Sequence, residues 1–186
     1  MLPPRPTELL HALLRERIAP GDLVIDATAG NGHDTLFLAE AVGASGQVIA
    51  IDIQEEAISA TRKRLGKANL LVRARLHCGS HADLRKIAGG GSPTVIVFNL
   101  GYLPGGDRSV ITNMEGTLAA LAASIEILRP GGSLAVVCYP GHSGGDSEAA
   151  AVEGFISSAP SLRTARYGML GTDRPAPFLL LCGKPG

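Results

Sequence analysis

The sequence predicts an α/β fold: a three-layer sandwich on a mostly parallel, seven-stranded sheet that ends in an antiparallel hairpin. Three observations carry this. Short β-branched runs alternate with helical segments along most of the chain. The runs are apolar nearly throughout, as strands covered on both faces must be. No internal repeat or linker-like stretch divides the sequence, so residues 1–186 are expected to form a single domain.

The elements follow in order. Thr7 to Ile18 reads as a helix with Thr7 as N-cap and with Leu9, Leu10, Leu13, Leu14 and Ile18 on one apolar face. That face suits either a homodimer contact or a cap on the sheet. LVIDA, the glycines of TAGNG and the helical TLFLAEAV then give strand, turn and helix. QVIAIDI is a second strand, and EEAISATRKRL after it carries acids in its first turn and bases in its last, which suits the helix dipole. LLVRARLHC and TVIVFN make the third and fourth strands. From Thr112 to Leu128 the apolar residues Met114, Leu118, Leu121, Ile125 and Leu128 recur at helical steps, and RPGG ends that helix. SLAVVCY is a fifth strand and SEAAAVEGFISSA a further helix. LRTARYGML and FLLLCG close the chain as a hairpin around a Gly-Thr-Asp-Arg-Pro turn.

Composition narrows the class. With 45% hydrophobic and 18% charged residues the chain is not a disordered segment. Seventeen Lys and Arg balance seventeen Asp and Glu, so no global field draws it to nucleic acid and an RNA partner would need a local patch. Arg62, Lys63, Arg64, Lys67, Arg73 and Arg75 offer one, although such a run is also what a solvated helix face looks like. The three cysteines lie far apart, with neither a metal-binding nor a redox spacing. Prolines stand where a secretory apolar region would be, and no apolar run reaches the ~20 residues of a membrane span, so a soluble, cytoplasmic protein without membrane attachment is expected.

In open α/β sheets ligands bind beyond the carboxyl ends of the strands, and these ends are polar here. In DATAGNGHD, Asp26 closes the first strand while Gly30 and Gly32 permit a tight turn and a close backbone approach. Asp52 ends the second strand twenty residues beyond Gly32, where a carboxylate can accept both hydroxyls of a ribose. Together these point to an adenosine-containing cofactor. A dinucleotide fingerprint would have glycine where Thr35 stands, and no basic side chain awaits a pyrophosphate. DATAGNG instead approximates the Asp-x-Gly-x-Gly-x-Gly turn used for S-adenosylmethionine, with Thr28 in the first glycine's place. In GSHADL, Ser80 and His81 can offer a backbone N–H and a flat ring to an adenine, or can simply cap a helix.

The fourth strand runs into NLGYLPGGD. Methyltransferases acting on planar exocyclic amines carry Asn or Asp, two prolines and an aromatic residue here, and NLGY keeps the first and last of these. Asn99 can supply a side-chain carbonyl, Leu100 a backbone carbonyl and Tyr102 a ring or hydroxyl to orient an N–H nucleophile. An alkylamine must also shed a proton, for which His142 in YPGHSGGD is the first candidate and His11 the second. LPGGD reads as a Pro-Gly turn, or as a lid over the acceptor nucleotide with Asp107 facing an amine or a neighbouring arginine.

DATAGNGHDTLFLA, the GSH turn, NLGYLPGGD, RPGG and YPGH resemble, in order and spacing over nearly the whole chain, a bacterial rRNA methylase family. The resemblance implies a class I methyltransferase (Rossmann-like) fold and S-adenosylmethionine as cofactor. Members of that family include a tRNA methyltransferase that methylates the aminomethyl group of 5-aminomethyl-2-thiouridine at the wobble position, so tRNA is the expected partner and rRNA the alternative. The cofactor site is then expected from Asp26, Gly30, Asn31, Gly32, Asp34, Asp52, Gln54, Ser80 and His81, and the acceptor site from Asn99 and Tyr102. A nucleotide-dependent oxidoreductase and a non-catalytic RNA-binding domain are the competing readings.

Overall fold

The computed structural model describes residues 2–101, 114–141 and 144–186. The expectations placed on Tyr102, on the LPGGD segment and on His142 therefore lie outside the described residues. Seven strands form one sheet: β1 (Leu23–Asp26), β2 (Gln47–Asp52), β3 (Ala74–Cys78), β4 (Val95–Asn99), β5 (Ser133–Cys138), β6 (Arg163–Gly168) and β7 (Phe178–Gly183). Their order is β3-β2-β1-β4-β5-β7-β6. The first five are parallel; β7 lies antiparallel between β5 and β6.

Period-2 alternation assigns the side chains to two cores. Ile25, Ile49, Ile51, Ile96, Phe98, Leu134, Val136 and Leu180 meet one layer, which includes α4 (Leu84–Ala88), α5 (Met114–Ile127) and α6 (Gly145–Ser157). Val24, Val48, Val95, Val97, Ala135, Val137 and Leu179 meet the other, which includes α1 (Pro6–Arg15), α2 (His33–Ala41) and α3 (Glu55–Lys67). The predicted three layers and terminal hairpin are present. The edge strands β3 and β6 are mostly exposed and carry Arg75, His77, Arg163 and Arg166, polar residues that discourage edge pairing.

Three local expectations are corrected. The first helix starts at Pro6, not after a Thr7 cap, because proline's fixed φ suits the first helical position, and Glu8 accepts the Arg5 backbone N–H at 2.9 Å. Its apolar face, with Leu10 and Leu14 fully buried, packs on the chain's own sheet, so that face gives no support to a homodimer. The third strand begins only at Ala74, since Asn69 turns with φ 58° and Leu71–Arg73 form a 3-10 turn that leaves Val72 outside. Met114 is exposed, whereas Leu121 on the same helix and Leu128 just beyond its end are buried.

Candidate active site

Strand order reverses between β1 and β4, one flanked by β2 and the other by β5, so a crevice must open at their carboxyl ends. The loop leaving β1 is fastened on three sides. Ala27 N–H donates to the Val97 carbonyl on β4 and Ala29 N–H to the Ile51 carbonyl on β2. Gly30 N–H donates to Asp52 Oδ2 at 2.8 Å, while Thr61 Oγ1 and Arg64 Nε on α3 donate to the Gly30 and Asn31 carbonyls at 3.0 and 2.7 Å. Gly30 and Gly32 have φ of 51° and 77°. A Cβ on Gly32 would stand 2.8 Å from the Thr61 Cα, so glycine there serves both the turn and the close approach of α3.

Asp52 is held as an acceptor by Gly30 N–H and, at 2.9 Å, by Gln54 N–H, and its remaining lone pairs suit ribose hydroxyls. Ile53 beside it is 62% exposed, an apolar surface at the crevice that the sequence offered only as a strand residue. Gly79 N–H donates to the Asp52 carbonyl, bringing the GSH turn alongside. Ser80 caps that turn, its hydroxyl accepting from Ala82 N–H at 3.1 Å. His81 packs edge-on against Phe98 at 5.8 Å, and burial pushes its imidazole below the ordinary value against the opposing pull of an Ala27 backbone hydrogen bond and the Asp52 charge. That shift favours the neutral ring, which is anchored from β4. These features fit an adenosine with no phosphate: Arg64, which approaches the turn, is committed to the Asn31 carbonyl and His33.

Two of the expected cofactor residues have their carboxyl oxygens engaged by protein groups. Asp26 has no exposed surface; its carboxylate accepts from Thr35 Oγ1 at 2.5 Å and from Thr28 N–H at 3.2 Å, so it shapes the turn from beneath. Burial, then the charge of Asp34, raises its pKa to about 7 despite those two hydrogen bonds. Asp34, 8% exposed, turns toward the β4 end: Oδ2 accepts from Asn99 Nδ2 at 3.0 Å and Oδ1 pairs with His11 Nε2 at 2.6 Å. Asn31 meets α3 through its carbonyl.

Asn99 is half-buried at the lip of the crevice, its N–H donating to Thr28 Oγ1 at 2.7 Å. Thr28 thus joins the β1 loop to the β4 end, a link a glycine in its place would lack. Leu100 is buried and Gly101 turns the chain with φ 134°. Tyr139 after β5 hydrogen-bonds the Asn99 carboxamide; burial and the Asp34 charge raise its pKa and that bond lowers it. Sequence reasoning missed Tyr139, whose only signal was an aromatic residue closing a strand.

The basic cluster divides. Arg64, Arg73 and Arg75 donate to backbone carbonyls of Asn31, Ala39 and Ile87, while Arg62, Lys63 and Lys67 are exposed. Lys63, Arg64 and Lys67 line a surface depression that also includes Asn31. No helix among the described residues is long and apolar enough to cross a membrane.

Residues 48–183 match the model of the family described as "Putative rRNA methylase". The chain is 41% identical over 163 residues to the chloroplastic tRNA (mnm(5)s(2)U34)-methyltransferase of Arabidopsis thaliana, covering 83% of this chain and 60% of that protein. It superimposes with a TM-score of 0.95 and 34% identity on a "putative rRNA-methylase" from Clostridium thermocellum, covering 99% of this chain and 100% of the other. With SMU.1697c of Streptococcus mutans, "a putative methyltransferase" solved with SAH, the TM-score is 0.89 at 34% identity, covering 98% and 99%. The sheet order, the β1 turn tied to Asp52 and these matches agree, and the chain belongs to the rRNA methylase family, with a class I methyltransferase fold.

Proposed function

We propose that the protein is an S-adenosylmethionine-dependent RNA methyltransferase that N-methylates the aminomethyl group of 5-aminomethyl-(2-thio)uridine at the tRNA wobble position. The observation that carries this is the Asn99 carboxamide at the β4 end, held by Asp34 and hydrogen-bonded by Tyr139. The name of the Arabidopsis relative supports the substrate.

S-adenosylmethionine, when bound, supplies a methyl group activated on a sulfonium. Asp52 would accept the ribose hydroxyls, Ile53 and His81 would border the adenine, and the Gly30–Gly32 turn would let the backbone approach. Asn99 would accept an N–H of the amine and so orient its lone pair, a task in which the Leu100 carbonyl and Tyr102 are its proposed partners. Acceptors around that nitrogen favour the cation that appears there. His142 is our proton acceptor for the incoming ammonium. Lys63 and Lys67 are proposed phosphate contacts for the RNA.

The test is mass spectrometry of tRNA nucleosides from a deletion strain, with methyl transfer by the purified protein to the tRNA that accumulates. We expect the unmethylated aminomethyl uridine to build up and to be converted. Normal tRNA nucleosides together with an unmethylated ribosomal base would replace tRNA by rRNA as the substrate. Binding of NAD in place of S-adenosylmethionine would move the protein to the oxidoreductases.

A further inference from the structure

Asp34 is the second residue of α2, within the first turn, where a helix dipole favours a carboxylate. It lies next to the glycine turn in sequence, yet both its oxygens are used on the acceptor side, by His11 and by Asn99. A carboxylate can only accept, which settles two assignments. His11 Nε2 must carry a proton toward Oδ1, and Asn99 must turn its nitrogen toward Oδ2. The Asn99 oxygen is thereby directed away from Asp34. His11 is itself clamped: its ring stacks on Phe37 with centroids 4.1 Å apart and planes 10° from parallel, and the Arg15 guanidinium lies over the same Phe37 ring.

We propose that His11 and Asp34 are a positioning couple for Asn99, holding its carboxamide with the oxygen toward the nitrogen to be methylated. The proposal rests on the reading of the site as one that takes an amine, and adds to it two residues from α1 and α2. The two ends of a carboxamide are nearly the same size, and a flipped Asn99 would offer N–H donors to an amine whose own N–H groups need acceptors. Asp34 removes that ambiguity, and His11 keeps Asp34 in place. The negative charge of Asp34 also favours the cation that forms on the nitrogen.

The experiment uses the full chain, with turnover on tRNA bearing the aminomethyl uridine, SAH affinity by calorimetry, and the Asn99 side-chain amide signals by NMR. Asp34→Asn turns one of the two acceptors into a donor, so the side chain can no longer accept from both His11 and Asn99 as Asp34 does. We expect it to lower kcat about 100-fold, the usual consequence of misplacing a reacting group by about an ångström, with SAH affinity within about twofold. His11→Ala should lower kcat about 10-fold, and His11→Gln, which can still donate to Asp34, should recover most of that. The Asn99 amide protons should exchange at least about 10-fold faster in Asp34→Asn than in the wild type. A fall in SAH affinity as large as the fall in kcat would make Asp34 a cofactor contact and overturn the proposal. So would unchanged turnover, or Asn99 signals identical in all variants. Should the wild type not methylate this tRNA, the substrate reading fails, and the Asn99 signals still decide whether the couple exists.

Discussion

Asp26 makes the folded state sensitive to pH. It is fully buried, and burial, the first cause, together with the charge of Asp34 lifts its pKa from 3.8 to about 7. A group that holds its proton more tightly when folded contributes stability that is complete below its unfolded value near 4 and is lost as pH rises through its folded value. Between pH 5 and 8.5 about two pH units fall inside that window, at about 1.4 kcal/mol each, so the wild type should lose about 3 kcal/mol through this residue. Asp26→Asn cannot ionise. Its carbonyl can still accept from Thr28 N–H and its amide can donate to Thr35 Oγ1, reversing the bond Thr35 now makes, at a cost of about 1 kcal/mol. Urea unfolding of both proteins across that range should therefore show the variant slightly less stable at pH 5 and about 2 kcal/mol more stable at pH 8.5, a difference of about 4 to 8 °C in Tm. Two stability curves that run parallel with pH would refute the reasoning, since they would mean Asp26 titrates alike in the folded and unfolded chain.

Further outcomes follow from the same geometry. Asp52→Ala removes the acceptor for Gly30 and Gln54 N–H and should weaken SAH binding about 10- to 100-fold by calorimetry, whereas Asp26→Asn should change it by less than about fivefold. Gly32→Ala puts a methyl 2.8 Å from the Thr61 Cα at a φ of 77°, and thermal unfolding should show a loss of about 2 to 4 kcal/mol. Lys63→Glu with Lys67→Glu should raise KM for tRNA about 10-fold and flatten its salt dependence, leaving SAH affinity unchanged by calorimetry.

Much of this was legible because strand periodicity and turn chemistry are local. Val24 and Ile25, or Val97 and Phe98, show from their alternation alone that a strand is covered on both faces, and the resemblance carried by DATAGNG and NLGY named the fold. Element ends were less legible. Glu8, not Thr7, completes the first cap, a choice set by Pro6, and the third strand was overextended because Leu71 and Val72 have strand-like side chains while Asn69 and an edge position decide the backbone. The placement of β7 between β5 and β6 was not readable at all. A hairpin fixes which strands pair with each other and says nothing of which one joins the sheet.

The same distinction explains the carboxylates. Asp26, Asp34 and Asp52 all neighbour the glycine turn in sequence or through its strand, so chemistry by residue type assigns all three to one ligand. Only the third is held by N–H groups of the glycine turn and of the residue two beyond it, the arrangement proposed to take a ribose. The first is enclosed where β1 passes under its own loop, and the second is carried by the start of α2 to the far side of the reversal point, beside β4. A helix that begins at such a turn spans the gap between the strand it leaves and the strand across the crevice. Its first-turn residues can then serve the neighbouring half of the site, and here they bring Asp34 to Asn99 while α1, packed on the same face, brings His11 to Asp34. The proposed acceptor side thus draws on α1, α2, β4 and the end of β5, four segments far apart in sequence, which is why its supporting side chains show no motif even though Asn99 does.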